Sequence, residues 1–478
     1  MTYRSLLLFT LLVVLTGSVA CGPTAQQETC TNGVCTGTCT PGDTHACYDG
    51  SSGTENIGPC KGGTVTCGAT GTWGACMGEV RPTGEVCGDN IDNNCNGQID
   101  ENVDLDGDGW TTCQGDCCDS TECATPSLVN PGAYDIAGDG VDNDCDGMID
   151  NAVVTCDSGL TSGSTTAMDY AKAIDLCQTT TTSDAMRRWG VIDAKLTLAN
   201  GSGTPNTKSK AILPHYGTGV TPHAGSSLML ISSGNAAGVG DPNYAASLDS
   251  NMATSSPFPA DWYASNNHAL PNAPGCPPPN GSTANDPMML TLTVRVPTNV
   301  QSFSLDTNFF SDEFPEWTCS PFNDFFVVLL DSTYSGTPAN PTDKNLAFYQ
   351  AGTSKYPVGV NLAAGNTGLF TQCVNGTTGC SSAFSGGTAG SISTCVSTSD
   401  LAGTGMDQAA PGVCDSQSKM GGGTGWLTTS GNVQPGEIMT LRIAIWDTSD
   451  HALDSLAVID NFKWSGTPSA PGTVIGRK

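Results

Sequence analysis

Hydrophobic residues are scattered in the first third of the chain and ordered in the remainder. In "LTLTVRV", Leu290, Leu292, Val294 and Val296 alternate with Thr291, Thr293 and Arg295, the period of two of a strand with one buried face. "LRIAIWD" from Leu441 and "SLAVIDNFKW" from Ser455 alternate similarly, whereas "FFVVLL" from Phe325 has no polar position and predicts a strand buried on both faces. "AMDYAKAIDLC" sets Met168, Ala171 and Ile174 at helical spacing and predicts one short helix. Loops rich in Gly, Pro, Ser and Asn separate these segments, with no helices alternating between the strands. The pattern predicts a mainly β protein, with an antiparallel β-sandwich over residues 167–466 carrying one N-terminal helix and followed by a tail at 467–478.

Before residue 167 the pattern gives way to cysteines. Residues 41–84 read as a Cys-rich module, 85–157 as an acidic module and 158–166 as a Ser/Thr/Gly linker. Segments this poor in apolar side chains are held by disulfides or metals, each disulfide contributing about 2–4 kcal/mol. The apolar run Leu6–Leu15 is too short to cross a bilayer and suits a signal peptide over residues 1–20. "Ser18-Val19-Ala20" is a small-x-small cleavage site, and with Cys21 next it also resembles a bacterial lipobox, although Ser18 stands where Leu is usual. A lipid on Cys21 turns the odd count of 23 Cys into an even one that disulfides can satisfy. The expectation is a lipidated tether at 21–40, holding the protein to the outer membrane at the cell surface. Plain secretion with one unpaired thiol is the alternative.

Charge narrows the partners. The formal net charge is −29, which repels nucleic acid and attracts divalent cations. No Lys, Arg or His lies between Pro82 and Ala171, while fifteen Asp and three Glu lie between Glu85 and Asp157. The excess is therefore regional.

That region repeats. "GDNIDNNCNGQID" (88–100) matches "GDGVDNDCDGMID" (138–150) at eight of thirteen positions. Each has oxygen-bearing side chains at loop positions 1, 3 and 5, Gly at 6 and Asp at 9, as in the start of an EF-hand calcium loop, where alternate residues turn inward and Gly permits the sharp bend. Asp92, Asn94, Asn96 and Asp100 fill the first copy; Asp142, Asp144, Asp146 and Asp150 fill the second. Asp104, Asp106 and Asp108 in "DLDGDGW" repeat the 1-3-5 spacing. None of the three has Glu at position 12, so closing ligands must come from elsewhere, and Asp116 and Asp119 in "GDCCD" are the nearest candidates. Hard oxygen donors without imidazole favour calcium over copper or zinc, at the modest affinity of extracellular modules, around 10⁻⁴ to 10⁻³ M.

The series "GDNIDNNCNGQIDE…DLDGDGWTTCQGDCCD…GDGVDNDCDGMID" resembles the MopE-type metal-binding repeat of secreted bacterial proteins over Glu85–Asn151. That family's label mentions copper. "RRWGVIDAKLTLANGSG", "GSSLMLISSGNA", "NFFSDEFPEWTCSPFNDFFVVLLD" and "LRIAIWDTSDHALDSLAVIDNFKW" resemble the choice-of-anchor L domain over about residues 167–465. This second resemblance implies an extracellular, surface-attached domain without naming a ligand.

Within the sandwich, Asp312, Glu313, Glu316 and Asp324 with Asn323 form one polar group in sequence, and Asp447, Asp450, Asp454 and Asp460 another. If the two meet, they offer a second calcium or ligand site, or a carboxylate pair for glycoside hydrolysis. Trp262 and Trp317 are candidate sugar platforms. HExxH, GxSxG and phosphate-binding Gly loops are absent and the five His are isolated. The expected function is a non-enzymatic, calcium-binding surface lipoprotein for adhesion to a glycan or protein; a glycan hydrolase and a copper-binding surface protein are the alternatives.

Overall fold

The computed structural model describes residues 29–31, 34–100, 102–119, 123–151, 155–185, 187–245, 250–374, 377–378, 390–391, 395–406 and 421–476. The expected signal peptide, the lipidation position Cys21, and Cys380 and Cys414 lie outside these residues. The chain divides into two compact units, residues 1–103 and 104–478. The division falls inside the acidic stretch.

The first unit is held by cross-links. A short hairpin pairs Thr44–Cys47 with Gly63–Thr66, and disulfides join Cys39 to Cys67, Cys47 to Cys76 and Cys60 to Cys95. Its buried apolar cluster consists of Tyr48, Cys60 and Cys95, so half-cystines stand where a larger domain would bury Leu and Ile.

The second unit is an antiparallel sandwich. Its strands, in chain order, are β1 (Gly190–Thr197), β2 (Lys210–Leu213), β3 (Leu228–Ser232), β4 (Ser255–Ser256), β5 (Ala284–Arg295), β6 (Ser302–Ser311), β7 (Phe325–Asp331), β8 (Gln372–Cys373), β9 (Gly422–Asn432), β10 (Ile438–Thr448), β11 (Ser455–Ser465) and β12 (Gly472–Ile475). One sheet runs β8-β9-β6-β11-β3-β2, with β12 also on β9; the other runs β7-β10-β5-β1, with β4 on β5. Leu290, Leu292 and Val294 of β5 and Ile443 of β10 meet Met229, Ile231, Leu305 and Ile459 of the facing sheet in one shared core. Thr291 and Thr293 point the other way and are half-buried, as the alternation predicts. The uninterrupted run of β7 divides its side chains between two cores. Phe326, Val328 and Leu330 enter the shared core, while Phe325, Val327 and Leu329 join an outer cluster with Trp262, Met289 and Trp446.

The expected helix forms as α1 (Ala167–Lys172) and buries Tyr170 and Ala171. A second, unforeseen helix, α2 (Ala260–Ser265), covers the outer face of the smaller sheet with Trp262. Trp262 is thus fully buried and is no sugar platform. Arg442 of β10 clasps Asp261 of α2 through two bonds of 2.9 and 2.7 Å, and Lys344 adds a third at 2.8 Å. These cations hold the Asp261 carboxyl well below the usual carboxylate range.

The acidic segment after Asp104 is bolted to the turn between β5 and β6. Thr298 donates from Oγ1 to Asn130 Oδ1 at 2.7 Å. Asn299 exchanges hydrogen bonds with the backbone of Tyr134, 2.8 Å each way.

Candidate metal centre

Each acidic loop folds around its own carboxylates. In the first unit, Asp92 accepts from the backbone N–H groups of Asn96 (3.1 Å) and Gly97 (2.9 Å), and Asn96 Oδ1 accepts from Gln98 N–H (2.8 Å). In the second unit, Asp142 accepts from Asp146 N–H (3.1 Å) and Gly147 N–H (2.9 Å), and Asp146 from Met148 N–H (2.8 Å). The two copies therefore share one geometry. Gly97 and Gly147 at position 6 have φ of 95° and 91°, a left-handed bend that carries no Cβ penalty only for glycine. The disulfide Cys117–Cys145 fixes the second copy from within.

Position 9 has a different task. Asp100 accepts from Gly88 N–H (2.9 Å) and Asn90 N–H (3.1 Å), and Asp150 from Gly138 N–H (2.6 Å) and Gly140 N–H (3.2 Å). Both close the turn that enters the loop, and neither is among the described residues that gather at metal-ligand distance.

Three groups do gather, with candidate ligand atoms within 4.8 Å of one another: Asp104, Asp106 and Asp108; Asp106, Asp116 and Asp119; and Asp142, Asp144 and Asp146. The first two share Asp106, so Asp116 and Asp119 stand beside the Asp104 loop where the closing carboxylates missing from its sequence are needed. Asp119 is itself positioned by Leu105 N–H (2.7 Å) and Thr112 N–H (3.0 Å), and Asp116 by Cys118 N–H (2.8 Å). Asp106 Oδ2 and Asp116 Oδ2 are buried and accept no hydrogen bond. Burial, then the charges of Asp108, Asp106 and Asp119, push the Asp116 carboxyl up to about 7. Carboxylates about 5 Å apart repel by roughly 3 kcal/mol per pair at an effective dielectric near 20. Partnerless buried oxygens and mutual repulsion are both relieved by a cation, so the residues present fit a metal ion.

A positive charge reaches the Asp104 loop from far along the chain. Arg187 lays its guanidinium over the buried Trp110 ring at 3.7 Å and donates to the carbonyl of Gly109. It caps the Asp104 loop from outside the Lys- and Arg-free stretch, where local spacing carries no signal for it.

The carboxylates of the sandwich also meet, but differently. Glu313, Asp324 and Asp447 are only 3, 1 and 1 % exposed. Asp324 hydrogen-bonds to Asp447 and accepts from Ser455 Oγ at 2.6 Å, and Asp312 N–H donates to the carbonyl of Asp454 at 3.0 Å. Asp450 lies close enough to Glu313 and Asp324 to repel both. Burial, and then neighbouring like charge, drives the Glu313 and Asp447 carboxyls well up. Two carboxyl groups hydrogen-bonded to each other share a proton, and none of this group gathers three ligand atoms at the spacing of the loops. Glu316 is buried in the same segment. Two of the isolated histidines are also paired, His223 to Asp306 (2.9 Å) and His451 to Asp286 (2.7 Å).

Comparison with protein families matches residues 225–462, from the loop before β3 into β11, to the choice-of-anchor L domain. The chain carries a choice-of-anchor L domain. The match opens after α1, β1 and β2, yet β1 pairs with β5 and β2 with β3, so in this chain the choice-of-anchor L domain has edge strands supplied from upstream. Residues 80–101 and 125–151 match the MopE-type metal-binding motif, which covers the two repeated loops and leaves the Asp104–Asp119 group between the matched segments. No curated protein and no solved structure is similar enough to count as a match. A choice-of-anchor L domain and a disulfide-rich metal-binding segment together mark a surface-associated or extracellular protein.

Proposed function

We propose that the chain is a calcium-binding surface protein that binds a partner instead of transforming it. The observation that carries calcium is the group Asp106, Asp116 and Asp119, whose carboxylate oxygens converge within 4.8 Å and of which Asp106 Oδ2 and Asp116 Oδ2 are buried without donors. The thiols that copper would use are closed as Cys117–Cys145 and Cys118–Cys123, and no imidazole occurs between residues 82 and 171. Burial of Glu313, Asp324 and Asp447 supports a role without turnover, since carboxylates this enclosed are poorly placed to meet a glycan chain. We further propose N-terminal lipid on Cys21 as the anchor, to be checked by a mass of the mature N-terminus; an unmodified Cys21 rejects it.

The test of the metal is a thermal melt of the full chain, disulfides intact, in calcium, in copper(II) and in chelator. Calcium at a hundred times its dissociation constant adds about 2.7 kcal/mol per site. No calcium shift, or copper retained through dialysis where calcium is lost, overturns this reading.

A further inference from the structure

A cavity of about 440 Å³ lies between the second acidic loop, the segment after α1 and the end of β11, within the size range of small-molecule sites, about 300–1,000 Å³. Its walls include Tyr134, Trp189 and Trp464. Tyr134 and Trp189 meet at 5.5 Å and 65°, and Trp189 and Trp464 at 6.3 Å and 83°. The rings therefore form walls at steep angles instead of one flat platform. Asp135, Asp144 and Asp175 line the cavity against a single cation, Lys463.

The polar atoms packed behind its walls are equally one-sided. Asn151 spends its Nδ2 on Asp146 (2.7 Å) and Asn461 on Asp306 (2.7 Å), which fixes both amides with their oxygens spare. Asn151 Oδ1, Asn461 Oδ1 and Asp175 Oδ2 are buried without donors, against one buried donor without an acceptor, Trp464 Nε1. Asp175 and Asn461 also sit in the left-handed region, φ 71° and 58°, where strain is held at sites that use it.

We propose that this cavity binds an alkylammonium group carried on an apolar body. The positive charge faces the excess of carboxylates, and its carbon skeleton packs on ring faces that attract cations. A neutral sugar would meet the rings and some of the acceptors but gain nothing from the charge. The inference goes beyond calcium binding: with Asp144 engaged by the ion of its loop, Asp135 and Asp175 remain to face the ligand's charge.

The test is calorimetric titration of the full chain, in saturating calcium, with cyclohexylammonium, cyclohexanol and methyl glucoside. Cyclohexylammonium binds at least about tenfold tighter than either neutral probe, the factor that a partly desolvated cation–π and charge contribution gives. Asp175→Asn abolishes that preference while leaving cyclohexanol affinity unchanged and the melting temperature no lower; Trp189→Ala weakens both ligands. Equal affinity for the neutral probes, tighter binding of the glucoside, or no heat with cyclohexylammonium up to about 10 mM overturns the proposal. A calcium melting shift measured on the same sample keeps the two readings separate: the cavity can fail while the metal stands, and the reverse.

Discussion

The molecule gathers carboxylates in two ways. In the loops at 104–119 and 142–146 they range from exposed to buried, each fixed by backbone N–H groups, with oxygens gathered within 4.8 Å. In the sandwich, Glu313, Asp324 and Asp447 are sealed between loops and relieve one another by hydrogen bonding and protonation. On the proposed reading, the same residue type answers like-charge repulsion with a metal in one place and with a proton in the other. What decides is backbone geometry: a 1-3-5 loop splays its oxygens around a sphere, whereas opposed strand ends press them face to face.

That contrast can be broken first at the scaffold. Cys117→Ser with Cys145→Ser should cost about 2–4 kcal/mol, and should lower calcium affinity of the Asp142 loop without altering the sandwich, seen as a melt and a calcium titration in parallel. Next, Asp116→Asn should change sign with calcium. In saturating calcium it should destabilise by up to about 2.7 kcal/mol, and in chelator it should raise the melting temperature by removing one repelling charge. A loss in both conditions would mean that Asp116 is simply structural.

Proton-based relief has its own signature. Asp460, buried and pushed up to about 7, and Asp324, raised by burial, keep protons in the fold that the unfolded chain releases near pH 4. The folded state binds more protons between about pH 4 and 7, so stability in chelator should fall as pH rises through that window. Asp324→Asn should recover about 1–2 kcal/mol at pH 8, little at pH 5, and should be indifferent to calcium; a calcium-dependent effect would place a cation in the sandwich after all. The smallest change is Arg187→Ala, which removes the guanidinium from Trp110 at a cost of about 0.5–1 kcal/mol in a melt.

Much of this was legible in the sequence where periodicity is local. Leu290, Leu292 and Val294 announce their face, Phe325–Leu330 its double burial, and the 1-3-5 carboxylates their loops. What depends on distant pairing was not. Asp100 and Asp150 share the ligand spacing of an EF-hand, yet bond backward to backbone N–H groups ten and twelve residues earlier. Helix α2 is too short for periodicity and is held by Arg442 and Lys344, whose partners no window of sequence connects. The meeting of Asp324 with Asp447 follows from β7 pairing with β10, a matter of register.

The Cys117–Cys145 bond also has a mechanical consequence. It spans 28 residues, so a pull along the chain cannot draw out that stretch, worth on the order of 95 Å at about 3.4 Å per residue. Under load residues 118–144, with Asp142 and Asp144 among them, are therefore bypassed by the sulfurs, while tension re-enters the loop at Cys145 and is carried by Asp146 and the residues after it.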